Sequence, residues 1–306
     1  MLRLRRRGKV KRTYSAGNQK GEGSSNSNDT KPLGAEPVSR FKILAGFRTD
    51  VGCVREANED RSLYVQPDPS DPRSCKGALF LVADGMGGHQ AGEIASEMAV
   101  NIVSRTYYQS TMDSQSALSE GFVEANRLIY EASRAEERLK GMGTTCTALV
   151  LRNGSAVSAH VGDSRIYLVR GGEIYLMTED HSQVMEMVKR GLLTLDEARR
   201  HPDKNVILRA LGTQPEVQVA FWNEPFPVRC DDRFVLCSDG LNELVEDNEI
   251  KQAVAERDPI SSCEMLIVLA RERGGHDNIT VGVIAIQLFE GGATPPVKET
   301  RETEVV

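Results

Sequence analysis

The chain has 306 residues, of which 40% are hydrophobic and 27% are charged, a composition typical of a soluble globular protein. Its formal net charge is −6, and residues 1–12 carry seven basic side chains and no acidic one, so the rest of the chain is more acidic than this total. An acidic body argues against nucleic acid as the main partner, and no 18-residue apolar stretch is present to form a transmembrane segment.

The two ends of the chain differ in composition from its middle. Residues 13–40 are rich in Gly, Ser, Asn and Pro, so the basic and low-complexity segment 1–40 is predicted to be disordered. No apolar stretch follows the basic residues, which argues against a secretory signal. A disordered charged tail is predicted over 290–306. One folded domain is therefore expected over 41–289.

Within this domain, the first predicted elements are a strand and two helices. The apolar run at 78–83 indicates a buried strand that stops at Asp84-Gly85, where the glycine would turn the backbone away. Apolar residues then recur at helical spacing in two stretches, which predicts two amphipathic helices. Their apolar positions are Ile94, Ala95, Met98, Ile102 and Val103 in the first, and Leu118, Phe122, Ala125 and Ile129 in the second.

Strands and a long polar excursion are predicted next. The strands cover 144–151, 156–162, 166–170 and 173–177. The last two form a hairpin whose turn is Gly171-Gly172. The polar excursion at 178–212, called the flap below, contains a helix that begins at a capping box of Thr194 and Glu197.

A second apolar run, at 234–238, also stops at an Asp-Gly pair, Asp239-Gly240. The elements predicted after it are helices near 250–254 and 260–270 and a last strand at 279–286. Several strands follow one another between the helical groups, so mostly antiparallel sheets covered by helices fit better than regular βαβ winding. The predicted fold class is α+β.

Four aspartates lie at the ends of predicted strands: Asp84, Asp163, Asp239 and Asp277. A single Asp-Gly pair is most often a turn, but neither pair here leads into a second alternating strand, as a hairpin requires. Carboxylate oxygens suit Mg²⁺ and Mn²⁺, and two such cations can activate water and stabilise charge on a displaced oxygen. The pattern therefore indicates hydrolytic phosphoryl transfer, for which an arginine would bind the phosphate.

Six motifs in a fixed order carry a resemblance to a known family. Residues 50–60 read D-x-G-x-x-R-x-x-N-E-D, and A-D-G-M-G-G-H, G-M-G-T-T, H-V-G-D-S-R, C-S-D-G and H-D-N-I-T-V follow. This series resembles the metal-dependent Ser/Thr protein phosphatases of type 2C. The flap, with D-H-S-x-V and L-R-A-L-G, is similar to that of the bacterial branch. The resemblance implies a four-layer αββα sandwich, in which two mostly antiparallel sheets are flanked by helices.

The resemblance also implies a site with two catalytic Mn²⁺ or Mg²⁺ ions and, as in bacterial relatives, a third. Asp84 would bridge the two catalytic ions, and the backbone carbonyl of Gly85 would bind one of them. Asp239 and Asp277 would complete the ligands of the other. Asp163 would bind the third.

Further residues are implied around these ligands. Glu59 and Asp60 would hold metal-bound waters, Arg55 would bind the substrate phosphate, and Asn205 would assist at the third ion. Eukaryotic relatives carry a histidine directly after the first Asp-Gly, proposed as the general acid. Here that position is Met86, so the general acid is unassigned.

Three other interpretations fit the sequence less well. The glycines after Asp84 suggest a dinucleotide-binding fingerprint, but that pattern fails at Gln90. Cys146 and Arg152 fit the C-x5-R spacing of cysteine phosphatases, yet the residues between them are predicted to form a strand and not a phosphate-binding loop. A pseudophosphatase that acts as an interaction module would have lost its metal ligands, which are present here.

The sequence thus predicts a Ser/Thr phosphatase that acts on phosphorylated proteins, the substrates of a Ser/Thr kinase. None of the six cysteines forms a C-x-x-C pair, which is typical of a reduced, cytoplasmic protein without a disulfide framework or zinc site. The protein is expected to be a monomer with no nucleic-acid partner.

Overall fold

The computed structural model describes residues 41–87 and 91–288. The strands are β1 (Phe41–Asp50), β2 (Asp60–Val65), β3 (Ala78–Met86), β4 (Gly143–Thr144), β5 (Cys146–Arg152), β6 (Ser155–Val161), β7 (Arg165–Arg170), β8 (Glu173–Leu176), β9 (Ala220–Phe221), β10 (Phe226–Pro227), β11 (Arg233–Cys237) and β12 (Ile279–Leu288). The helices are α1 (Ala91–Gln109), α2 (Ser114–Ala135), α3 (Gln183–Lys189), α4 (Leu195–Arg199), α5 (Asp239–Asn242), α6 (Asp247–Ala255) and α7 (Pro259–Glu272). The predicted disordered segments 1–40 and 290–306 lie outside the described residues.

The strands form two sheets. One has the order β1-β12-β11-β7-β8, and the other has the order β10-β6-β5-β3-β2, with β4 and β9 paired to its strands. All of these pairings are antiparallel. Helices α1 and α2 pack on the outer face of the second sheet, and α6 and α7 pack on the outer face of the first. The predicted α+β sandwich of four layers is confirmed.

The apolar run that begins β3 is continuous because both faces of this strand are buried. Leu79 and Leu81 face α1 and α2, whereas Phe80 and Val82 belong to the core between the sheets. Successive side chains of a strand point to opposite faces, so a strand buried on both sides needs apolar residues throughout. Phe80 stacks there on Phe47 of β1, with 6.1 Å between the ring centroids.

Local signals correctly placed the hairpin turn and the start of α4. Gly171 and Gly172 both have positive φ angles, 58° and 77°, as a two-residue hairpin turn requires. The capping box of Thr194 and Glu197 is present, with Thr194 as the N-cap of α4. Among the described residues, no helix is long and apolar enough to cross a membrane.

The prediction that the first strand stops at Asp84 is wrong. Strand β3 continues through Gly85 to Met86, because Gly85 and Met86 pair with Thr144 and Gly143 of β4. Strands β1 and β2 and helix α3 were not predicted. Strand β1 is held by ten residue pairs with β12, more than two hundred positions away, which no local pattern reveals.

Candidate metal centre and active site

The predicted acidic residues meet where the two sheets end. Asp60 and Asp84 lie opposite each other on β2 and β3. Asp239 begins α5 directly after β11, and Asp277 precedes β12. Asp60, Asp239, Asp163 and Asp277 all raise the pKa of Asp84 through their charge, after its burial, which is the larger cause. The structure therefore brings these carboxylates into one cluster.

Gly85 and Gly240 follow their aspartates for a reason that differs from the predicted turn. Neither residue has a positive φ angle. A Cβ on Gly85 would lie 2.1 Å from the carbonyl oxygen of Gly92, and one on Gly240 would lie 2.1 Å from that of Asn278. Each glycine is required because another segment of backbone passes in contact with it. The prediction that Gly85 turns the chain is thus wrong. Gly85 is required because the backbone of Gly92 lies against it.

Two buried threonines hold the backbone of Asp84. The Asp84 N–H donates to Oγ1 of Thr145 at 2.9 Å, and the Thr145 N–H donates to the Asp84 carbonyl at the same distance. The Thr144 hydroxyl also donates to this carbonyl, at 2.8 Å. The sequence interpretation gave G-M-G-T-T only a packing role, so the positioning of Asp84 by these hydroxyls was missed.

A serine fixes the carboxylate of Asp60. The hydroxyl of Ser238, the residue before Asp239, donates to Oδ2 of Asp60 at 2.7 Å. The Ser238 hydroxyl oxygen itself accepts the N–H of Thr280 on β12 at 3.0 Å. Ser238 was not predicted as a site residue, although its place inside C-S-D-G is the signal that could have identified it.

Asn278 organises the loop at 51–59. Its amide nitrogen donates to the carbonyls of Val51 and Ala57, both at 3.0 Å, and its Oδ1 accepts the N–H of Glu59 at 2.8 Å. The Glu59 carbonyl in turn accepts the N–H of Gly85 at 3.2 Å. Asn278 was not predicted either. Its three bonds explain how a loop of nine residues keeps a fixed shape beside the acidic cluster.

Arg55 lies in this loop at the rim of the cluster. Its side chain is 50% exposed, and Nη2 contacts Oδ2 of Asp277 at 2.6 Å. This hydrogen bond raises the pKa of Arg55, with smaller contributions from the charges of Glu59 and Asp84. The guanidinium is thus permanently cationic, accessible, and directed along the acidic cluster.

A cleft of about 470 Å³ opens between the flap and the segment after Asp239. Asp163, Asp239 and Glu243 line one side of it, and flap residues, including Lys204, line the other. Lys204 bridges the cleft to Glu243 at 2.7 Å. Asn205 is exposed and is not among the residues that line this cleft, and its place beside Asp163 stays a prediction.

The donor chemistry of the cluster fits divalent cations. Oδ1 of Asp60, Asp163 and Asp239 is in each case buried without a hydrogen-bond partner. Burial raises the pKa of Asp60 to about 6 and that of Asp163 to about 7, and it raises the pKa of Asp239 well above its usual range. Unpartnered buried carboxylate oxygens with elevated pKa values are stabilised by a bound cation.

Within 41–87 and 91–288, no group of three or more His, Cys, Asp or Glu side chains is arranged so that it could hold a metal ion by itself. This arrangement is compatible with Mg²⁺, which keeps several of its waters and binds proteins through one or two carboxylates. The oxygen donors therefore suit a hydrated hard cation, and they do not suit zinc, which prefers nitrogen and sulfur ligands.

Metal-depleted protein is expected to become more stable at pH 8 when Asp163 is replaced by asparagine. The pKa of Asp163 rises from its ordinary value to about 7, so the folded state binds more protons and loses stability as the pH rises through this window. Asp163→Asn removes this loss. Its Tm should exceed that of the wild type by a few degrees at pH 8 and by less at pH 5, measured by differential scanning calorimetry in EDTA.

The Tm of the variant must be compared with that of the wild type at each pH, because buried histidines also make stability depend on pH. Burial lowers the pKa of His160 to about 4 and that of His181 to about 3. Those histidines favour stability at higher pH in both proteins, so their effect cancels in the difference. Saturating Mn²⁺ should reverse the order by stabilising the wild type more. A Tm difference that does not depend on pH would show that ionisation of Asp163 does not destabilise the folded protein.

Known proteins are similar to this chain over most of its length. The sequence profile of protein phosphatase 2C matches residues 70–266. The chain is 37% identical over 254 residues to the serine/threonine phosphatase stp of Listeria monocytogenes, which covers 81% of this chain and 98% of that protein. It is also 37% identical over 243 residues to the protein phosphatase PhpP of Streptococcus pneumoniae, which covers 78% of this chain and 95% of that protein.

Solved structures show the same similarity. The serine/threonine phosphatase PstP/Ppp of Mycobacterium tuberculosis superposes with a TM-score of 0.71 at 35% identity, covering 80% of this chain and 99% of that one. The catalytic domain of PstP in complex with two manganese ions superposes with a TM-score of 0.70 at 34% identity, covering 81% and 99%.

Proposed function

The chain belongs to the protein phosphatase 2C family, and we propose that its acidic cluster is the active site of a serine/threonine protein phosphatase. The enzyme is a metal-dependent phosphoprotein phosphatase that uses Mn²⁺ or Mg²⁺ at a two-ion site. The single observation that carries the proposal is the cluster of buried carboxylates with unpartnered oxygens beside the exposed cation of Arg55.

The two ions are assigned to the residues at the strand ends. Asp84 would bridge them, and the Gly85 carbonyl would bind one of them. Asp239 and Asp277 would bind the other. When bound, these ions supply an activated water as nucleophile and positive charge to stabilise the transition state. Asp163 would bind a third ion, and Asn205 stays a prediction for that ion without a contact that supports it.

The remaining residues orient the reactants. Glu59 and Asp60 would hold waters around the ions, and the bond from Ser238 keeps the Asp60 carboxylate directed towards the cluster. Arg55 would bind two oxygens of the substrate phosphate with its planar guanidinium. A thioether cannot donate a proton, so Met86 cannot act as the general acid. No side chain among the described residues is assigned to that role.

The alternative of a catalytically silent pseudophosphatase has no support, because every predicted acidic ligand is present. We extend the proposal to partners and location. The substrates are phosphorylated proteins, and we assign them to a Ser/Thr kinase acting in the same compartment. All six cysteines lie in the described part of the chain and carry free thiols, which supports a cytoplasmic enzyme. We propose a monomer.

The test is hydrolysis of p-nitrophenyl phosphate and of a phosphothreonine peptide by the purified protein with Mn²⁺, with Mg²⁺ or with EDTA. Release of phosphate from both substrates is expected with either ion, and none is expected in EDTA. Activity that persists in EDTA would contradict the metal-dependent mechanism. No release with either ion, from protein whose folding is verified by circular dichroism, would favour the pseudophosphatase.

A further inference from the structure

The residue before Asp163 is tied to the flap by two reciprocal hydrogen bonds. The His181 N–H donates to the Gly162 carbonyl at 2.8 Å, and the Gly162 N–H donates to Nδ1 of His181 at 3.1 Å. Asp163 and His181 are buried, with 7% and 8% of their surface exposed. The backbone that carries Asp163 is therefore attached to the first residues of the flap.

The flap also holds the other side of Asp163. Arg165, two residues later, forms a buried bidentate ion pair with Asp180, through Nε at 2.9 Å and Nη2 at 2.5 Å. Asp180 and His181 are consecutive, so two adjacent flap residues bind the chain on both sides of Asp163. In contrast, the ion pair of Lys204 with Glu243 at the far side of the cleft is partly exposed, and such pairs contribute little.

The histidine must accept the Gly162 hydrogen bond in its neutral form. An amide N–H donates to Nδ1, so Nδ1 carries no proton and the ring proton resides on Nε2. The centroid of the ring lies 4.8 Å from that of His160, with 31° between the two ring planes, and Nδ1 of His160 contacts the Thr147 hydroxyl at 2.8 Å.

Gly162 packs closely against Thr145. Gly162 has a φ angle of 114°, and a Cβ there would lie 2.5 Å from Cβ of Thr145. The hydroxyls of Thr145 and Ser164 are 2.8 Å apart, and Thr145 also holds the backbone of Asp84. The loop of Asp163 is thus confined between the threonine that holds Asp84 and the histidine of the flap.

We propose that His181 is a positioning residue, which fixes the carboxylate of Asp163 for the third cation and couples the flap to that ion. The inference rests on the proposed function, because the role of Asp163 belongs to it. Without the acceptor on His181, the buried N–H of Gly162 loses its partner, and the loop gains freedom to move Asp163 out of place. Mutation of a residue that orients a metal ligand typically lowers metal affinity by about 10-fold to 100-fold.

The test compares two amides at the same position. In His181→Asn, the side-chain oxygen can take the place of Nδ1 and accept from Gly162, whereas in His181→Gln the oxygen falls near the place of Nε2. Isothermal titration of each protein with Mn²⁺ should show an affinity for the weakest ion about 10-fold lower in His181→Gln and within about 2-fold of the wild type in His181→Asn. The two tighter ions should be unaffected in both.

Equal affinities for the weakest ion in the two variants, or a wild type that binds only two ions, would overturn the proposal. These outcomes differ from failure of the proposed function, which would appear as absence of metal-dependent hydrolysis by the wild type. If His181→Gln does not fold, measurements on the wild type alone decide whether the proposal holds. Coupling is reciprocal, so saturation of the weakest site with Mg²⁺ must slow hydrogen exchange of the Gly162 amide in nuclear magnetic resonance spectra. An unchanged exchange rate would contradict the proposal.

Discussion

Replacing Asp84 by asparagine is expected to lower kcat/KM for p-nitrophenyl phosphate by about 10³-fold, equivalent to about 4 kcal/mol of transition-state stabilisation. Asp84 is the carboxylate assigned to both catalytic ions, so its loss removes the shared ligand of the site. The side chain is replaced by one of the same shape, and the bonds from Thr144 and Thr145 reach only its backbone. The variant should therefore fold.

Two measurements separate a loss of chemistry from a loss of structure. The Tm of metal-depleted Asp84→Asn should equal or exceed that of the wild type, because the charge of Asp84 is unfavourable among its neighbours. Asp113→Asn makes the same chemical change at the N-cap of α2, remote from the cluster, and should leave activity near the wild-type level. An Asp84→Asn enzyme that retains a tenth of wild-type activity would remove Asp84 from the bridging role.

Replacing Arg55 by alanine is expected to lower kcat/KM by about 10²-fold, mainly through a higher KM. The guanidinium is exposed beside the cluster, and its planar fork can bind two phosphate oxygens, which a single ammonium cannot reproduce. Arg55→Lys should therefore recover only part of the loss. Steady-state kinetics with a phosphothreonine peptide at saturating Mn²⁺ measures both parameters.

The control for charge is Arg127→Ala. Arg127 is an exposed arginine on α2 that pairs with Glu124 and Glu131, and its loss should leave KM unchanged. Because Arg55 also contacts Asp277, the Mn²⁺ concentration that gives half-maximal activity should be measured for each variant. If KM of Arg55→Ala equals that of the wild type at saturating Mn²⁺, Arg55 does not bind the phosphate.

Much of the fold could be predicted because its signals are local. The continuous apolar run of β3, the helical spacing in α1 and α2, and the glycine pair of the hairpin each depend on residues within a few positions of one another. Each of those elements was predicted as the type of structure that it forms, although no ends were predicted for α1 and α2. Strand β1 was not, because its ten pairs join it to β12 at the other end of the domain.

The site divides in the same way. The aspartates were recognised because a carboxylate after an apolar run is conspicuous in sequence. The residues that hold them were missed: Ser238, Asn278, the hydroxyls of Thr144 and Thr145, and the ring of His181. Their chemistry is common in any chain, and only their contacts distinguish them. Asp60 is 178 positions from Ser238, and Glu59 is 219 positions from Asn278.

By itself the sequence determined the α+β fold class, the acidic residues that are candidate ligands, and the chemistry that oxygen ligands and an arginine permit. The tertiary structure alone decided why Gly85 and Gly240 are glycines, and which residues restrain the carboxylates. The physical reason is that residue type and periodicity specify what an element buries and what a side chain can bind. Contact between distant segments depends on how sheets and loops pack. Local sequence carries no trace of a backbone that passes so near Gly85 or Gly240 that an added Cβ would lie 2.1 Å from its carbonyl oxygen.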